Sequence, residues 1–373
     1  MRRIVHLTSV HSRHDTRVFL KECRSLAGEG YDVSLVVADG AGDETRDGVR
    51  IRDVGASPGR LTRMVGATRR VLQAARALDG DLYHLHDPEL IPVGLQLKRA
   101  GKLVIFDAHE DVPLQILSKH YLGPTARRVV SRGFSTFEAW ACRRFDAIVA
   151  ATPAIRDKFI AINPTVVDIS NFPLPGELEG GADPPGKRCD VCYVGGISET
   201  RGIRELVSAM GMVRSNARLK LCGLFAEAKL SADVRREAGW GRVDELGFLD
   251  RAGVREVLSG CFAGLVTLRA SPNHVESLPI KMFEYMSAGV PVVASHFPLW
   301  RKIVLESGCG ICVDPERPEQ SASAIDLLAN DPALVREMGH KGRLAVRDRY
   351  NWSIEERKLI DLYASLFSLT GCP

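Results

Sequence analysis

Short apolar runs alternate along the chain with stretches of helical periodicity, the pattern of a parallel sheet flanked by helices. In the first half the runs are "RIVHLTS", "DVSLVVAD", "VRIRDVG", "DLYHLHD", "KLVIFDAH" and "DAIVAAT". Helical patterns fall between several of them, such as "TRVFLKECRSLAGEG" with Gly28 and Gly30 near its end. In the second half "RCDVCYVGG", "RLKLCGL", "VDELGFLD", "FAGLVTL", "VPVVAS" and "CGICVD" repeat the scheme. Each half is expected to form its own Rossmann-like, doubly wound α/β domain. The Pro- and Gly-rich "VVDISNFPLPGELEGGADPPGKR" reads as the linker, and "NWSIEERKLIDLYASLF" as an amphipathic helix after the last strand. Two such domains with a cleft between them suit a ligand held at the carboxyl ends of the strands.

One segment, "HVESLPIKMFEYMSAGVPVVAS", is apolar yet carries Glu276 and Glu284. "RASPNHVES" is expected as loop, Pro279 in the first turn of a short helix, Gly289 as its C-cap and Val290 to Ser295 as a buried strand. Glu276 then precedes the helix and Glu284 lies on its second turn. Ser277, Leu278 and their neighbours are expected to offer unpaired backbone N–H groups at the helix N-terminus, a site for phosphate. Carboxylates would repel that phosphate but accept hydrogen bonds from vicinal diols. A ligand with sugar, diphosphate and ribose in sequence, a nucleotide sugar, presents both.

Composition narrows the classes. At 373 residues the chain suits about two domains, and 45% hydrophobic with 26% charged residues is ordinary for a globular protein. "MRRIVHLTSV" reads as a first strand rather than a signal peptide, and no run is long enough to span a membrane, so a cytoplasmic location is expected. Nine cysteines include two CxxC pairs, Cys189/Cys192 and Cys309/Cys312. Both sit in or beside strand-like runs, where thiols act as small core residues, and core is preferred over zinc. The net charge of +4 comes from one window, residues 119–145, where six basic residues face one acid.

"ESLPIKMFEYMSAGVPVVAS" resembles the E-x7-E element of retaining glycosyltransferases of family 4, with the two-domain GT-B fold. "SVHSRHDTRVFLKECRSLAGEGYDVSLV", "YHLHDPELIPVG" and "VIFDAHEDVP" are similar to the opening of a polysaccharide-building subgroup, and "GCGICVDPERPEQSASAI" with "RYNWSIEERKLIDLY" to its ending. The resemblance implies an acceptor-binding domain over 1–170, a nucleotide-sugar-binding domain over 171–350 and a C-terminal helix, 351–373, crossing back to the N-terminal domain. It implies catalytic roles for Glu276, at the donor sugar, and for His109, which would hydrogen-bond the reacting sugar or its developing positive charge. Glu284 would hold the ribose. The implied reaction moves a sugar from a nucleoside diphosphate to an acceptor hydroxyl with retention, through a front-face mechanism that needs no metal and no cofactor beyond the donor.

Departures from the family pattern bear on the phosphates. The family pairs an Arg after the glycine with a Lys five residues on; here Gly196 and Arg201 stand at those positions after Gly195. Arg201 can pair with phosphate. Lys281 or Arg17 is the candidate for the missing charge, each with the alternative of an ordinary solvated charge, preferred for Lys281, and the glycines can admit backbone to the phosphates. The first loop offers His11, His14, Asp15 and Arg17 for acceptor or phosphate contact, with Asp15 alternatively a helix cap; His86 is a weaker candidate. Arg127, Arg128, Arg132, Arg143 and Arg144 with Trp140 suggest a helix on an anionic membrane surface, the alternative being an ordinary surface helix. The expected partners are a nucleotide sugar and a glycan or lipid-linked acceptor, with peripheral membrane contact on the cytoplasmic face. A nucleic acid is excluded, since only one window is basic.

Three rival readings differ in class. A nucleotide-sugar epimerase or hydrolase would use the same fold without an acceptor. A donor-binding protein without transfer activity is the reading Gly196 invites. A dehydrogenase fails, because "IVHLTSVHSRHD" has no glycine fingerprint.

Overall fold

The computed structural model describes residues 1–57, 59, 63–118, 123–178 and 188–369. The chain divides into two units, Met1–Asn171 with Trp352–Pro373, and Phe172–Asn351. Residues 179–187 of the expected linker and 119–122 of the basic window lie outside the described residues.

The first unit is built on an eight-stranded sheet ordered β3-β4-β2-β1-β5-β6-β7-β8. Its strands are β1 (Arg3–Leu7), β2 (Asp32–Val37), β3 (Glu44–Arg46), β4 (Val49–Asp53), β5 (Leu82–Leu85), β6 (Leu103–Ala108), β7 (Ala147–Ala150) and β8 (Val166–Asp168). All pairs are parallel except the β3–β4 hairpin. Strands β5 and β7 are buried at every position, which is why their sequences read as unbroken apolar runs. The expected first helix begins with a wide-turn segment, Val18–Cys23, before regular helix α1 (Arg24–Gly28). There Leu20 N–H bonds Asp15 O and Glu22 N–H bonds Arg17 O, five residues back in each case. That wider spiral turns both Lys21 and Glu22 inward.

Two later helices complete the parts used below. Helix α2 (Pro124–Cys142) starts at a proline, whose missing N–H costs nothing at a first turn. Helix α3 (Arg251–Gly260) is capped by Asp250, whose side chain accepts from Gly253 N–H at 2.8 Å.

The second unit carries a six-stranded parallel sheet ordered β11-β10-β9-β12-β13-β14. The strands are β9 (Asp190–Val194), β10 (Leu219–Cys222), β11 (Val243–Gly247), β12 (Cys261–Val266), β13 (Val292–Ser295) and β14 (Gly310–Val313). In sequence order that is 3-2-1-4-5-6, the doubly wound arrangement whose ligands sit where strand order reverses, here between β9 and β12. The corresponding reversal in the first unit lies between β1 and β5. Cys192 and Cys309 are core residues, and β12 and β13 separate β9 from β14, so the two CxxC pairs do not share a site.

Around the two-glutamate segment the outline is as expected, with three corrections. "RASPNHVES" is not all loop: Pro272–Val275 forms one helical turn, with Ser271 Oγ accepting from His274 N–H at 3.2 Å. Pro279 is extended (φ −69°, ψ 115°) and flanks helix α4 (Ile280–Ser287) instead of sitting in its first turn. Ser277 N–H is not free, since it bonds His274 O at 3.2 Å. Gly289, at φ +68°, takes the left-handed position that ends the helix. The last helix, α5 (Trp352–Leu369), is tied to the first unit by Trp352 Nε1–H donating to Ser25 Oγ (3.0 Å) and by Ser170 N–H donating to Glu355 Oε2 (2.8 Å). None of the described helices is long and apolar enough to cross a membrane.

Candidate functional site

In the first unit, chemistry gathers behind His109, one residue past the end of β6. His109 is partly exposed, and its Nε2 lies 2.9 Å from Asp107 Oδ2. Residues two apart on a strand share a face, so the "FDAH" end of β6 brings these side chains together locally. Donation from Nε2–H to Asp107 leaves Nδ1 as the imidazole's acceptor. Asp107 is itself fully buried and gripped by Arg17, whose Nε and Nη2 donate to its two oxygens at 3.0 and 2.9 Å. Arg17 and His109 hold the Asp107 carboxyl well below the usual range, although its burial opposes this.

The candidacy of Arg17 for a phosphate is therefore corrected. Its Nη1 donates to Ile169 O at 2.7 Å and its Nε also lies 3.0 Å from Glu22 Oε1, so the guanidinium faces inward and is only 4% exposed. His86 is corrected too. At 2% exposure it is sealed, with Nε2 2.8 Å from His6 Nδ1 and Nδ1 3.4 Å from His109 Nε2, and burial pushes its pKa down to about 4. Neutral His86 sits behind the site instead of in it.

Beneath His86 the register places His6 on β1 opposite His84 on β5, and His84 Nδ1 lies 2.7 Å from Tyr363 Oη of α5. His6, His84, His86 and Glu22 are metal-ligand types within 4.8 Å of one another. Yet the 2.8 Å between His6 and His86 is a hydrogen-bond separation, and a guanidinium already faces Glu22. Hydrogen bonds thus join His6 to His86 and His84 to Tyr363, and the Glu22 carboxyl is held by the charge of Arg17 without a hydrogen bond of its own among the described residues. Burial and the Asp107 charge push the Glu22 carboxyl well above its usual range, Arg17 only partly opposing.

The first loop divides. Asp15 caps the wide-turn segment, its Oδ1 accepting from the N–H groups of Arg17 (2.8 Å) and Val18 (2.9 Å), and its Oδ2 lies 3.3 Å from His11 Nδ1. The His11 ring lies 4.9 Å from the His109 ring, tilted by 56° to it, with Nε2 3.5 Å from Asp87. Burial disfavours charge on His11, but Asp15 and Asp87 outweigh it and raise its pKa. His14 points elsewhere, with Nε2 3.3 Å from Glu44 of β3.

In the second unit, β9 is followed by Gly195, whose φ of +126° a side chain would resist. Tyr193 Oη–H donates to Gly196 O at 2.8 Å, and Arg201 Nη1 donates to the same oxygen at 3.0 Å. A Cβ at 196 would stand 2.8 Å from Arg201 Nη1, and one at 195 would stand 3.2 Å from Lys281 Nζ. The glycines thus leave room for two cations. Lys281, at the start of α4, sends its Nζ inward to 3.6 Å from the Tyr193 ring centroid.

Glu284 is 8% exposed and its Oε1 accepts from Arg251 Nη1 at 2.7 Å; Arg251 Nε also donates to Glu177 at 2.7 Å. Arg251, at the start of α3, is a positioning residue with no signature in the sequence, because its partners lie far along the chain. Glu276 ends the single turn Pro272–Val275 and is exposed. Leu278 and Pro279 follow it, half-buried, ahead of α4. So the end of β9, the turn after it and the start of α4 bring Gly195, Gly196, Arg201 and Lys281 together, while Glu276 and Glu284 lie on the β12–α4 connection and on α4. Arg201→Ala is expected to weaken binding of a nucleoside diphosphate about tenfold or more in calorimetry, in line with loss of one charged hydrogen bond; unchanged affinity would remove Arg201 from the phosphate site.

The basic helix α2 presents Val129 (65% exposed), Val130 and Trp140 beside exposed Arg128 and Arg132, with Arg143 and Arg144 just beyond its end. Arg144 lies 4.1 Å over the Trp140 ring, and half-buried Arg127 donates to Leu117 O at 3.0 Å.

Comparison with known proteins adds the relationship. Residues 16–173 match the family model described as glycosyl transferase 4-like domain, and residues 180–345 that of glycosyl transferases group 1. The chain is 25% identical over 291 residues to an alpha-maltose-1-phosphate synthase of Mycobacterium tuberculosis, covering 69% of this chain and 72% of that protein. It is 26% identical over 302 residues to a phosphatidyl-myo-inositol mannosyltransferase of the same organism, covering 77% and 74%. Among solved structures it is similar in fold to a sucrose-phosphate synthase from Thermosynechococcus elongatus (TM-score 0.79, 20% identity, 99% of this chain and 100% of that one). It is likewise similar to Anabaena Alr3699/HepE, solved in complex with UDP-glucose (TM-score 0.76, 17% identity, 98% and 100%).

Proposed function

The chain belongs to glycosyltransferase family 4, GT-B enzymes that move a sugar from a nucleotide sugar in glycan biosynthesis, and from that premise we propose that it transfers with retention and without a metal, onto a glycan or lipid-linked acceptor hydroxyl. The observation that carries this reading is the pair of cations, Arg201 and Lys281, brought to the glycine-edged end of β9. They supply positive charge where a departing diphosphate needs it. Lys281, whose Nζ lies beside Gly195, supplies a second positive charge in a site where Gly196 brings no side chain.

In the proposed step the bond from the anomeric carbon to the phosphate oxygen breaks, and the acceptor oxygen bonds that carbon on the same face. The acceptor's proton passes to the leaving phosphate oxygen. Glu276 holds the sugar hydroxyls, Glu284 the ribose hydroxyls, and His109, oriented by Asp107, hydrogen-bonds the reacting sugar. A thermal-shift screen of nucleotide sugars identifies the donor, and proton NMR of the first product formed with it reads the anomeric configuration. An inverted product, or activity abolished by EDTA and restored by a divalent cation, would overturn the corresponding part of the reading.

The exposed apolar and basic side chains of α2 suit a peripheral location at an anionic membrane, where a lipid-linked acceptor would lie. Replacing Arg127, Arg128 and Arg132 by Gln is expected to release the protein from vesicles containing phosphatidylglycerol in a flotation assay, each charge contributing about 1 kcal/mol near the surface. Absence of flotation by the unmodified protein at low salt would remove the membrane from the reading.

A further inference from the structure

Lys281 is the one member of the donor site whose state in the free protein is at odds with its surroundings. Its Nζ is buried and has no hydrogen-bond partner among the described residues, although an ammonium carries three donors. Leaving a charged donor buried and unsatisfied is costly, and cations in that position release their proton instead. Every neighbour is poorly placed to help. Arg201, on the turn after Gly196, adds like charge. Tyr193 of β9 offers only its ring face, since its hydroxyl is bonded to Gly196 O. Tyr285 is turned to Val194 N–H at 2.8 Å, and Glu284 on the same helix is engaged by Arg251.

We propose that capture of the nucleotide sugar is coupled to proton uptake by Lys281: the ε-amine is largely neutral in the free enzyme under mildly alkaline conditions, and the diphosphate brings it to the ammonium form that binds it. This rests on the donor reading above and deepens it. Gly195, where a Cβ would stand 3.2 Å from Nζ, leaves the space through which Nζ and the diphosphate meet. A dianion there supplies both the hydrogen-bond acceptors and the opposite charge that the free site lacks.

The direction of the equilibrium follows from the surroundings. Burial, and then repulsion from Arg201, lowers the Lys281 pKa to about 7, with Glu284 and Cys192 only partly opposing. Burial raises Tyr193 to about 12, and Cys192, hydrogen-bonded to Cys261 and buried, is raised well above its usual value, so neither titrates near neutrality. The bound diphosphate raises the Lys281 value again. Free enzyme therefore holds the proton at pH 6 and lacks it at pH 8. Donor affinity is full below about pH 7 and falls about tenfold per pH unit above it, until the pKa of the bound state is reached.

Titration calorimetry of the full chain with UDP-glucose and GDP-mannose tests this. Their diphosphates are esterified at both ends and keep both negative charges across the window. Repeating the titration in buffers of different ionisation enthalpy counts protons. About 0.9 proton taken up at pH 8 and about 0.1 at pH 6 are expected for a group with a pKa near 7. Lys281→Arg should abolish uptake while keeping affinity level from pH 6 to 9. Lys281→Gln should abolish uptake and lower affinity about tenfold or more at pH 6. Uptake near zero in the unmodified protein at pH 8, or unaltered affinity of Lys281→Gln at pH 6, overturns the coupling while leaving the donor reading intact. Binding of no nucleotide sugar, in calorimetry and in the thermal-shift screen alike, overturns the donor reading itself.

Discussion

His109→Ala and Glu276→Ala are each expected to lower kcat by about a hundredfold to a thousandfold, the range seen when one preorganised group at a transition state is removed. The two losses should separate in kind. Glu276 is exposed on a connection that it does not hold together, so its loss should leave the melting temperature unchanged. His109 shares a hydrogen bond with buried Asp107, so His109→Ala should bring a modest loss of stability beside the loss of rate. His109→Gln, which can still donate to Asp107, should recover the stability and not the rate. Turnover within a few-fold of the unmodified enzyme in either alanine variant would remove that residue from the catalytic role.

Arg17→Met should be the most damaging substitution for stability. It deletes both charged hydrogen bonds to Asp107 and the contact with Glu22, leaving fully buried carboxyl groups without their cation. Removing one partner of a buried pair costs about 3–5 kcal/mol. For a unit of this size that is a fall of roughly 10 °C in the melting transition. Asp107 also gives the loss a pH dependence. Its carboxyl is held below the usual range in the folded protein, so the pair stabilises above an ordinary carboxylate pKa and ceases to as pH falls through the depressed folded value. The penalty of Arg17→Met should therefore shrink on acidification. A variant that melts like the parent but binds nucleoside diphosphate more weakly would return Arg17 to the phosphate site.

The buried cluster explains why sequence patterns misjudged Arg17 and His86. Asp15, His11, Arg17 and His86 are all polar, and each is chemically able to meet a substrate. Where each one points is decided by residues far off in the chain: Arg17 meets Asp107 across ninety positions, and His6 meets His86 across eighty. By contrast, the proximity of His109 and Asp107 was legible, because strand geometry alone places residues two apart on one face. The strands missed by pattern, β3 and β8, are three residues long and lie at sheet edges, where partial exposure removes the apolar run. The helical turn at Pro272 escaped notice for a similar reason, being too short to show periodicity.

Local sequence determined the alternation of strand and helix, the division into two α/β halves and the layout of the Glu276–Ser295 segment as connection, helix and strand. It could do so because burial on both faces, helix capping and glycine at positive φ act over a few residues. Tertiary structure alone decided that Arg17 is a strut, that His86 is sealed, that Arg251 pairs with Glu284, and that Lys281 reaches in under Gly195. The direction a long polar side chain takes is set by the charges and cavities that folding brings to it, and those come from strands and helices distant in the chain.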